Sequence, residues 1–190
     1  MRAPRVETRR FTRVEYDRLI GQGFFDGDER IELLDGLLVV REPQGSQHAV
    51  AVELARAALQ RAFGRGHHIR GHSPVALDDV SEPEPDIAVV RGRLRRYSAA
   101  HPSSPVLVVE VADSSLAKDR VRKAVLYARA GLADYWIVNL IDRVLEVHRE
   151  PERSAAGRWK YRSVALLGPR ATVSPLAAPR RRIRVADLLP

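Results

Sequence analysis

The fold is decided by residues 105–140, which read PVLVVEVADSSLAKDRVRKAVLYARAGLADYWIVNL. The first segment, Pro105–Ala112, is continuously apolar and rich in β-branched residues, a pattern typical of a strand buried on both faces. A serine of the pair Ser114–Ser115 can then start a helix, and Gly131 can end it as a C-terminal cap. Asp134–Leu140 predicts the next strand. This strand–helix–strand order indicates a layered protein of helices and sheet.

The segments on either side add hairpins and helices to this unit. Thr12 followed by Glu15 predicts a capping box for a helix through Ile20, and Asp35-Gly36 within Ile31–Val40 predicts a β-hairpin. The other predicted elements are, in chain order, a helix over His48–Phe63 capped by Ser46, strands around Ile69, at Val75–Leu77 and at Ile87–Val90, an Arg-rich loop over Arg91–Ser104, a strand over Arg143–Arg149 that forms a hairpin with Asp134–Leu140, and weaker strands over Trp159–Leu166 and Ile183–Val185. The fold class is therefore mixed α/β, with a central mixed β-sheet flanked by helices and an N-terminal helix and β-hairpin.

Length and composition bound the kind of protein. A chain of 190 residues most simply forms one domain, 1–190, and its 45% apolar and 29% charged residues are typical of a globular protein. The absence of cysteine excludes disulfides, thiolate zinc sites and cysteine nucleophiles. No apolar run approaches the ~18 residues that span a bilayer, and the basic N-terminus lacks the apolar stretch of a signal peptide. We expect a cytoplasmic protein with no membrane partner.

The net charge of +8 is unevenly distributed along the chain. Residues 31–90 carry five basic and nine acidic side chains, whereas residues 91–190 carry twenty basic and nine acidic ones. An acidic middle beside a basic remainder suggests a metal-collecting pocket in a positive surface, and a polyanion, of which nucleic acid is one, is the natural partner of such a surface. Arginine outnumbers lysine 29 to 3, so genomic base composition is an alternative explanation for many of the individual arginines.

Glu110 is the most informative single residue, because it lies within the apolar run Val106–Val111. An unpaired carboxylate would cost several kcal/mol to bury there, so Glu110 must be paired with a cation, protonated or bound to a metal. The structural alternative is a glutamate at the end of a strand that reaches solvent or an arginine.

Two further carboxylates lie next to predicted strands. Asp86 follows Pro85 and immediately precedes the strand Ile87–Val90. An aspartate after proline is most often a turn residue, but together with Glu110 on an adjacent strand it could share a hard divalent ion. Glu32 lies within the apolar hairpin, where an outward-facing residue is the simpler explanation.

The helix after Glu110 carries Lys123, one of only three lysines. Val121, Ala124, Val125 and Ala128 are expected to form the apolar face of this helix, and Arg120, Lys123 and Tyr127 its flank. If the apolar face packs on the sheet, that flank can lean over the strand end at Glu110. An ordinary solvated flank is the alternative.

The histidines are less decisive. His48 is in the first turn of a helix, where the helix dipole disfavours positive charge, so a neutral imidazole with a structural role fits there. The spacing of His67, His68 and His72 matches no zinc pattern, and we assign these three to a surface loop. No glycine-rich phosphate loop, serine-hydrolase elbow or HExxH motif is present.

Several motifs together resemble the Uma-type restriction endonucleases, bacterial proteins of the PD-(D/E)XK nuclease superfamily. They are IELLDG, a helix led by His48, EPDIAVV, PVLVVEVADSS and DRVRKAVLYARAGLADYWIVN. The resemblance runs from about Phe11 to Leu189, and its most specific part is the block Glu110–Trp136.

The resemblance implies a restriction-endonuclease-like sheet with a site for Mg²⁺ or Mn²⁺. Asp86 and Glu110 would be the motif carboxylates and metal ligands, and Glu32 would match an early acidic position of the family. Ala112 occupies the place where the motif lysine usually lies, so this role would pass to Lys123 on the following helix. His48, Arg120 and Tyr127 are possible accessory residues. The chain departs from the family where it has Leu37 for a common glutamate, and where Asp113-Ser114 replace Ser-Pro.

The resulting hypothesis is a metal-dependent endonuclease that hydrolyses phosphodiester bonds in DNA. The catalytic residues would be Asp86, Glu110, Lys123 and Glu32, and basic residues of the second half would contact backbone phosphates. One alternative is a non-catalytic nucleic-acid-binding or assembly protein that keeps the nuclease fold. Another is a structure-specific nuclease or one that acts on RNA. A homodimer would suit an enzyme that cuts both strands, although no feature of the sequence demonstrates one.

Overall fold

The computed structural model describes residues 8–26, 29–41 and 43–190. The N-terminal residues 1–7, on which the signal-peptide argument mainly rests, lie outside them. The elements are, in chain order, α1 (Arg13–Gly21), β1 (Ile31–Leu34), β2 (Leu37–Val40), α2 (Ser46–Phe63), β3 (His67–Gly71), β4 (Ile87–Arg91), β5 (Leu107–Ala112), α3 (Leu116–Lys118), a π turn (Asp119–Lys123), α4 (Ala124–Arg129), β6 (Asp134–Asn139), β7 (Val144–Arg153), β8 (Trp159–Leu167), β9 (Thr172–Val173) and β10 (Ile183–Arg184). Short 3₁₀ turns lie at Leu94–Tyr97 and Val185–Leu188.

Six strands form the central sheet, in the order β3-β4-β5-β6-β7-β8. The pair β5–β6 is parallel and its neighbours are antiparallel, so the sheet is mixed, as the sequence predicts. A parallel pair needs a crossover, and the α3–α4 segment supplies it between β5 and β6. All six residues of β5 are buried, which confirms the prediction of a strand covered on both faces.

Each face of the sheet is covered by a different part of the chain. On one face α2 and the C-terminal segment pack on residues such as Val109, Val111 and Trp136. On the other face α4 packs on Val108, Ala112 and a cluster of tyrosines. Because side chains alternate along a strand, Glu110 shares its face with Val108 and Ala112 and points toward α4.

The two local N-terminal predictions are confirmed. Thr12 and Glu15 form the capping box at the start of α1, with the Thr12 hydroxyl accepting from the Glu15 amide and the Glu15 carboxylate accepting from the Thr12 amide. Asp35 and Gly36 turn the β1–β2 hairpin with φ values of 57° and 76°. Positive φ at both central residues is the requirement of the tight type I′ hairpin turn.

Other predictions need correction. Val75–Leu77 is not a strand, since the Val75 and Ala76 amides donate to the Pro83 and Pro102 carbonyls of loops rather than to a neighbouring strand. Gly45, not Ser46, is the N-cap of α2, and it offers no side chain to the first amides.

The predicted apolar face of the helix after β5 is wrong at two positions. Val121 is 67% exposed and Val125 38% exposed, whereas Asp119 and Lys123 are buried. The cause is the π turn over Asp119–Lys123, which has more residues per turn than an α-helix and therefore displaces the inward face from an α-helical pattern.

Over the described ranges no helix is both long and apolar enough to cross a membrane.

Candidate active site

Asp86 and Glu110 lie side by side at one end of the central sheet. Ile87 of β4 pairs with Val109 of β5, and this register brings Asp86 next to Glu110. The Asp86 amide donates to Glu110 Oε2 over 3.3 Å, and the Val111 amide donates to Asp86 Oδ2 over 2.8 Å. Both residues are only 2% exposed. The structure thus brings together the two carboxylates that the sequence analysis selected.

Glu110 is held by two side chains from the helix that follows it. Lys123 Nζ lies 2.9 Å from Glu110 Oε1, and the Tyr127 hydroxyl donates to the same oxygen over 2.8 Å. Burial raises the pKa of Glu110 to about 8, an effect that the charge of Lys123 partly offsets. Burial lowers the pKa of Lys123, but the surrounding carboxylates, first of all Glu110, outweigh this and raise it.

Glu32 is a third buried carboxylate in the same cluster, and it does not face outward from the hairpin. Its Oε2 accepts a hydrogen bond from the Glu84 amide and lies 3.4 Å from Lys123 Nζ. Lys118 Nζ is 3.7 Å from the other oxygen. Lys123 therefore bridges Glu32 and Glu110 in a site that solvent scarcely reaches.

Asp86 is surrounded by cationic and polar groups from distant segments. Oδ1 accepts from Arg41 Nη2 at 3.0 Å and from Gln44 Nε2 at 3.1 Å. His48 Nε2 is 3.3 Å from Oδ2, and His72 Nδ1 is 3.5 Å from Oδ1. Burial would raise the pKa of Asp86, but His48, the Val111 amide and Lys123 prevail and lower it to about 2.

Three of these neighbours were not among the residues selected from the sequence. Arg41 and Gln44 follow the hairpin without any motif. The prediction of a surface loop for His67, His68 and His72 is wrong, since His67 and His68 lie in β3 and His72 faces Asp86. The signal that could have found His72 is its position directly after a strand that pairs with β4.

Asp119 is a further buried carboxylate that sequence reasoning missed. Asp119 lies on the π turn that follows β5, four residues before Lys123. Its carboxylate accepts a hydrogen bond from the Ser115 hydroxyl over 2.6 Å. Burial raises its pKa, and Lys123 and Ser115 act against that rise. Its i, i+4 spacing from Lys123 was the available signal.

Arg120 lies outside this cluster, contrary to the flank that the sequence predicts. Its guanidinium contacts Glu146 of β7 at 2.7–3.1 Å and lies 3.7 Å from Asp142. Because of the π turn, Lys123 points toward Glu110 whereas Arg120 points toward Glu146 of β7.

The carboxylates open onto a cavity of about 60 Å³, lined on its polar side by Arg41, His48, Lys118 and Asp119 as well as by Asp86 and Glu110. A cavity of this size holds a few water molecules or a hydrated ion. Two buried atoms of the cavity lining have an ion-pair contact but no regular hydrogen bond among the described residues: Arg41 Nη1 lies 3.2 Å from Glu84 Oε2, and His48 Nε2 lies 3.3 Å from Asp86 Oδ2. Such atoms can take a further hydrogen bond from or to water or substrate oxygens.

The donor set fits a hard divalent cation. Mg²⁺ typically takes one or two carboxylates and keeps several waters, and Asp86 and Glu110 supply two carboxylates beside a water-sized cavity. In residues 8–26, 29–41 and 43–190, no three Asp, Glu or His side chains already form a metal-binding group. An ion would therefore be completed by water or substrate rather than by a ready-made protein cage.

The comparisons with known proteins agree with this architecture. Four chains of solved structure match. One of them is described as a "putative nuclease belonging to DUF820" from Anabaena variabilis ATCC 29413, and superposes with a TM-score of 0.71 at 16% identity over 94% of this chain and 97% of that one. The search of curated proteins gave no match.

The chain shares its fold with that solved structure, and the mixed α/β class with a central mixed sheet flanked by helices is confirmed. The model of the Uma2 family, described as "Putative restriction endonuclease", matches residues 13–186, and the chain belongs to this family.

Proposed function

We propose that the chain is a divalent-metal-dependent endonuclease that hydrolyses phosphodiester bonds in DNA. The observation that supports this most is the contact between Asp86 and Glu110: Glu110 accepts a hydrogen bond from the Asp86 amide, and Asp86 accepts one from the amide of Val111, the residue after Glu110. These bonds fix two carboxylates at one point of the sheet, as metal ligands must be fixed. Glu32 would be an additional ligand or an acceptor behind them.

The chemistry divides between the ion and the protein. A divalent ion, when bound, supplies Lewis-acid stabilisation of the charge on the phosphoryl group. Lys123 orients the attacking water or stabilises the developing charge, because its ammonium is fixed between Glu110 and Glu32. Arg41 lines the cavity with a guanidinium held between Glu84 and Asp86, and a guanidinium there suits contact with a phosphate oxygen.

Plasmid cleavage with Mg²⁺ or Mn²⁺ tests the proposal. We expect cleavage by the wild type and its loss in Asp86→Ala, Glu110→Ala and Lys123→Ala. Glu82→Gln is the matched control, since Glu82 is equally buried but lies outside the cavity lining. Equal activity in the wild type and the three site variants would overturn the proposal. A panel of duplex DNA, single-stranded DNA and RNA then identifies the substrate.

A non-catalytic nucleic-acid-binding protein is the second candidate, and one observation favours it. Glu110 is already paired with Lys123 and Tyr127, and Asp86 with Arg41 and Gln44, so both carboxylates have protein partners without an ion. Calorimetric titration with Mn²⁺ separates the candidates. Binding that is lost in Asp86→Ala supports the nuclease, and absence of binding supports the second candidate.

A further inference from the structure

Exposed arginines gather at the end of the molecule opposite the cavity. We call this the distal arginine surface, and it consists of Arg61, Arg65, Arg91, Arg93, Arg181 and Arg182. Two elements that start beside the cavity, α2 and β4, end at this surface. α2 carries His48 at the cavity and Arg61 thirteen residues later, which is roughly 20 Å along a helix. Asp86 directly precedes β4, and Arg91 at the end of β4 lies five residues further on, roughly 17 Å along extended chain.

Backbone contacts hold the parts of this surface together. His67, just after the end of α2, pairs with Arg91 in the β3–β4 ladder. The Gly92 amide donates to the Gly66 carbonyl over 2.8 Å and so joins the two loops. Arg61 lines one groove with Arg181 and Arg182.

The charges of this surface are uncompensated. Among the described residues, none of its six guanidinium groups has a carboxylate at ion-pair distance. Asp187, the carboxylate that lines this groove, forms an ion pair with Arg184 at 2.8 Å. Exposed arginines elsewhere are of both kinds: Arg162 is paired with Glu150, whereas Arg122 and Arg170 have no carboxylate at ion-pair distance among the described residues. The distal arginine surface differs in that its unpaired arginines lie together.

The helix dipole explains only part of this arrangement. Basic residues are favoured near the C-terminus of a helix, which accounts for Arg61 and Arg65 at the end of α2. It does not account for Arg91 and Arg93 after a strand, or for Arg181 and Arg182 near the C-terminus of the chain. Clustered like charges without counter-charges repel one another, and a polyanion relieves that repulsion.

We propose that the distal arginine surface binds the phosphate backbone of duplex DNA outside the cavity, as a second contact region about 20 Å from Asp86. The choice of DNA as the polyanion rests on the proposed function, whereas the binding itself requires no catalysis. Guanidinium groups suit this role because they donate to phosphate oxygens in pairs.

The test measures binding of a fluorescent 30-base-pair duplex by anisotropy, in EDTA and over a series of NaCl concentrations. The surface variant is Arg61→Gln/Arg181→Gln/Arg182→Gln. The matched control, Arg9→Gln/Arg56→Gln/Arg162→Gln, removes the same charge from arginines that are paired with carboxylates. We expect the slope of log K against log[salt] to fall by about 3 in the surface variant, close to one per lost phosphate contact, and by much less in the control.

A second variant, Arg91→Gln/Arg93→Gln, should lower the slope by about 2 for the same reason. All the substituted residues are exposed except Arg56 of the control, which is half-buried, and thermal unfolding verifies that each variant is folded. Equal slopes in the surface and control variants would overturn the inference, as would arginine-dependent binding to phosphatidylserine vesicles without binding to the duplex. Because EDTA removes divalent ions, the result is independent of cleavage. A wild type that binds through this surface but never cleaves would overturn only the proposed nuclease activity.

Discussion

The Arg120 guanidinium donates from Nε and Nη2 to the carboxylate of Glu146, with contacts of 2.7–3.1 Å, and thereby fastens the π turn to β7. Asn139 adds a 2.8 Å hydrogen bond to the same carboxylate. On the other side of the turn, the Tyr135 hydroxyl donates to the Asp119 carbonyl. The irregular turn that carries Lys123 into the cavity is thus anchored at two points.

This ion pair should make the stability depend on pH in the acid range. Burial raises the pKa of Glu146, but His148, Arg120 and Asn139 prevail and lower it to about 2 from its ordinary 4.5. The folded protein therefore holds this proton less firmly than the unfolded chain. The stabilisation is complete above about pH 4.5 and is lost as the pH falls toward 2.

Urea unfolding of the wild type and Glu146→Gln, at pH 3 and pH 7, measures this effect. We expect the variant to be less stable by about 1–3 kcal/mol at pH 7, as for a lost hydrogen bond to a charged group, and the difference to shrink at pH 3. A difference that is the same at both pH values would contradict the assigned ion pair.

The sequence predicts most of the elements of the central sheet because their signals are local. β5 is an unbroken apolar run, and β6 and β7 are joined by a short turn, so hydrophobic pattern and turn chemistry suffice. The pairing of Asp86 with Glu110 follows from an acid that directly precedes β4, an acid within β5 and the register of these two strands.

The remainder of the site depends on tertiary contacts that no local pattern encodes. Arg41, Gln44 and His72 come from loops that are 45, 42 and 14 positions away from Asp86 in the chain. The π turn is equally invisible, because an α-helical period fits the apolar residues of that helix well enough to suggest the wrong inward face. Glu146, by contrast, could have been selected, since it lies in an apolar strand just as Glu110 does.

Glu82 should give a pH dependence of the opposite sign. Burial raises its pKa to about 7, with Asp17 adding to the rise and Arg13 opposing it. The folded protein keeps a proton that the unfolded chain releases above about pH 4.5, so stability falls as the pH rises from 4.5 through 7.

Replacing Glu82 by glutamine removes the titrating group while keeping the shape of the side chain. We expect Glu82→Gln to gain stability relative to the wild type at pH 8 and to lose that advantage at pH 4.5. Chemical denaturation at the two pH values measures this, with Glu150→Gln on the surface as control. A constant difference between Glu82→Gln and the wild type would contradict the prediction.

The pair Lys123–Glu110 should be strongly coupled in stability. Removing one partner of a buried ion pair leaves an uncompensated group and typically costs about 3–5 kcal/mol. We therefore expect Lys123→Met to be strongly destabilising, and Lys123→Met/Glu110→Gln to be less destabilised than the sum of the single variants. A double-mutant cycle by urea unfolding gives the coupling directly. Strict additivity would show that the 2.9 Å contact contributes nothing.

The effects of substitutions on stability distinguish the π turn from a regular α-helix. If this segment were a regular α-helix, Val121 would face the sheet, and a polar substitution there would lower the free energy of unfolding markedly. In the structure Val121 is exposed and Tyr127 is fully buried. We expect Val121→Ser to change the free energy of unfolding by less than about 0.5 kcal/mol, as surface substitutions usually do. Tyr127→Phe, which removes only the hydroxyl that donates to Glu110, should cost about 1–2 kcal/mol because a buried oxygen loses one of its two donors and keeps only Lys123. If Val121→Ser proved the more damaging of the two in urea unfolding, the inward face of this helix would be the one that the sequence pattern suggested.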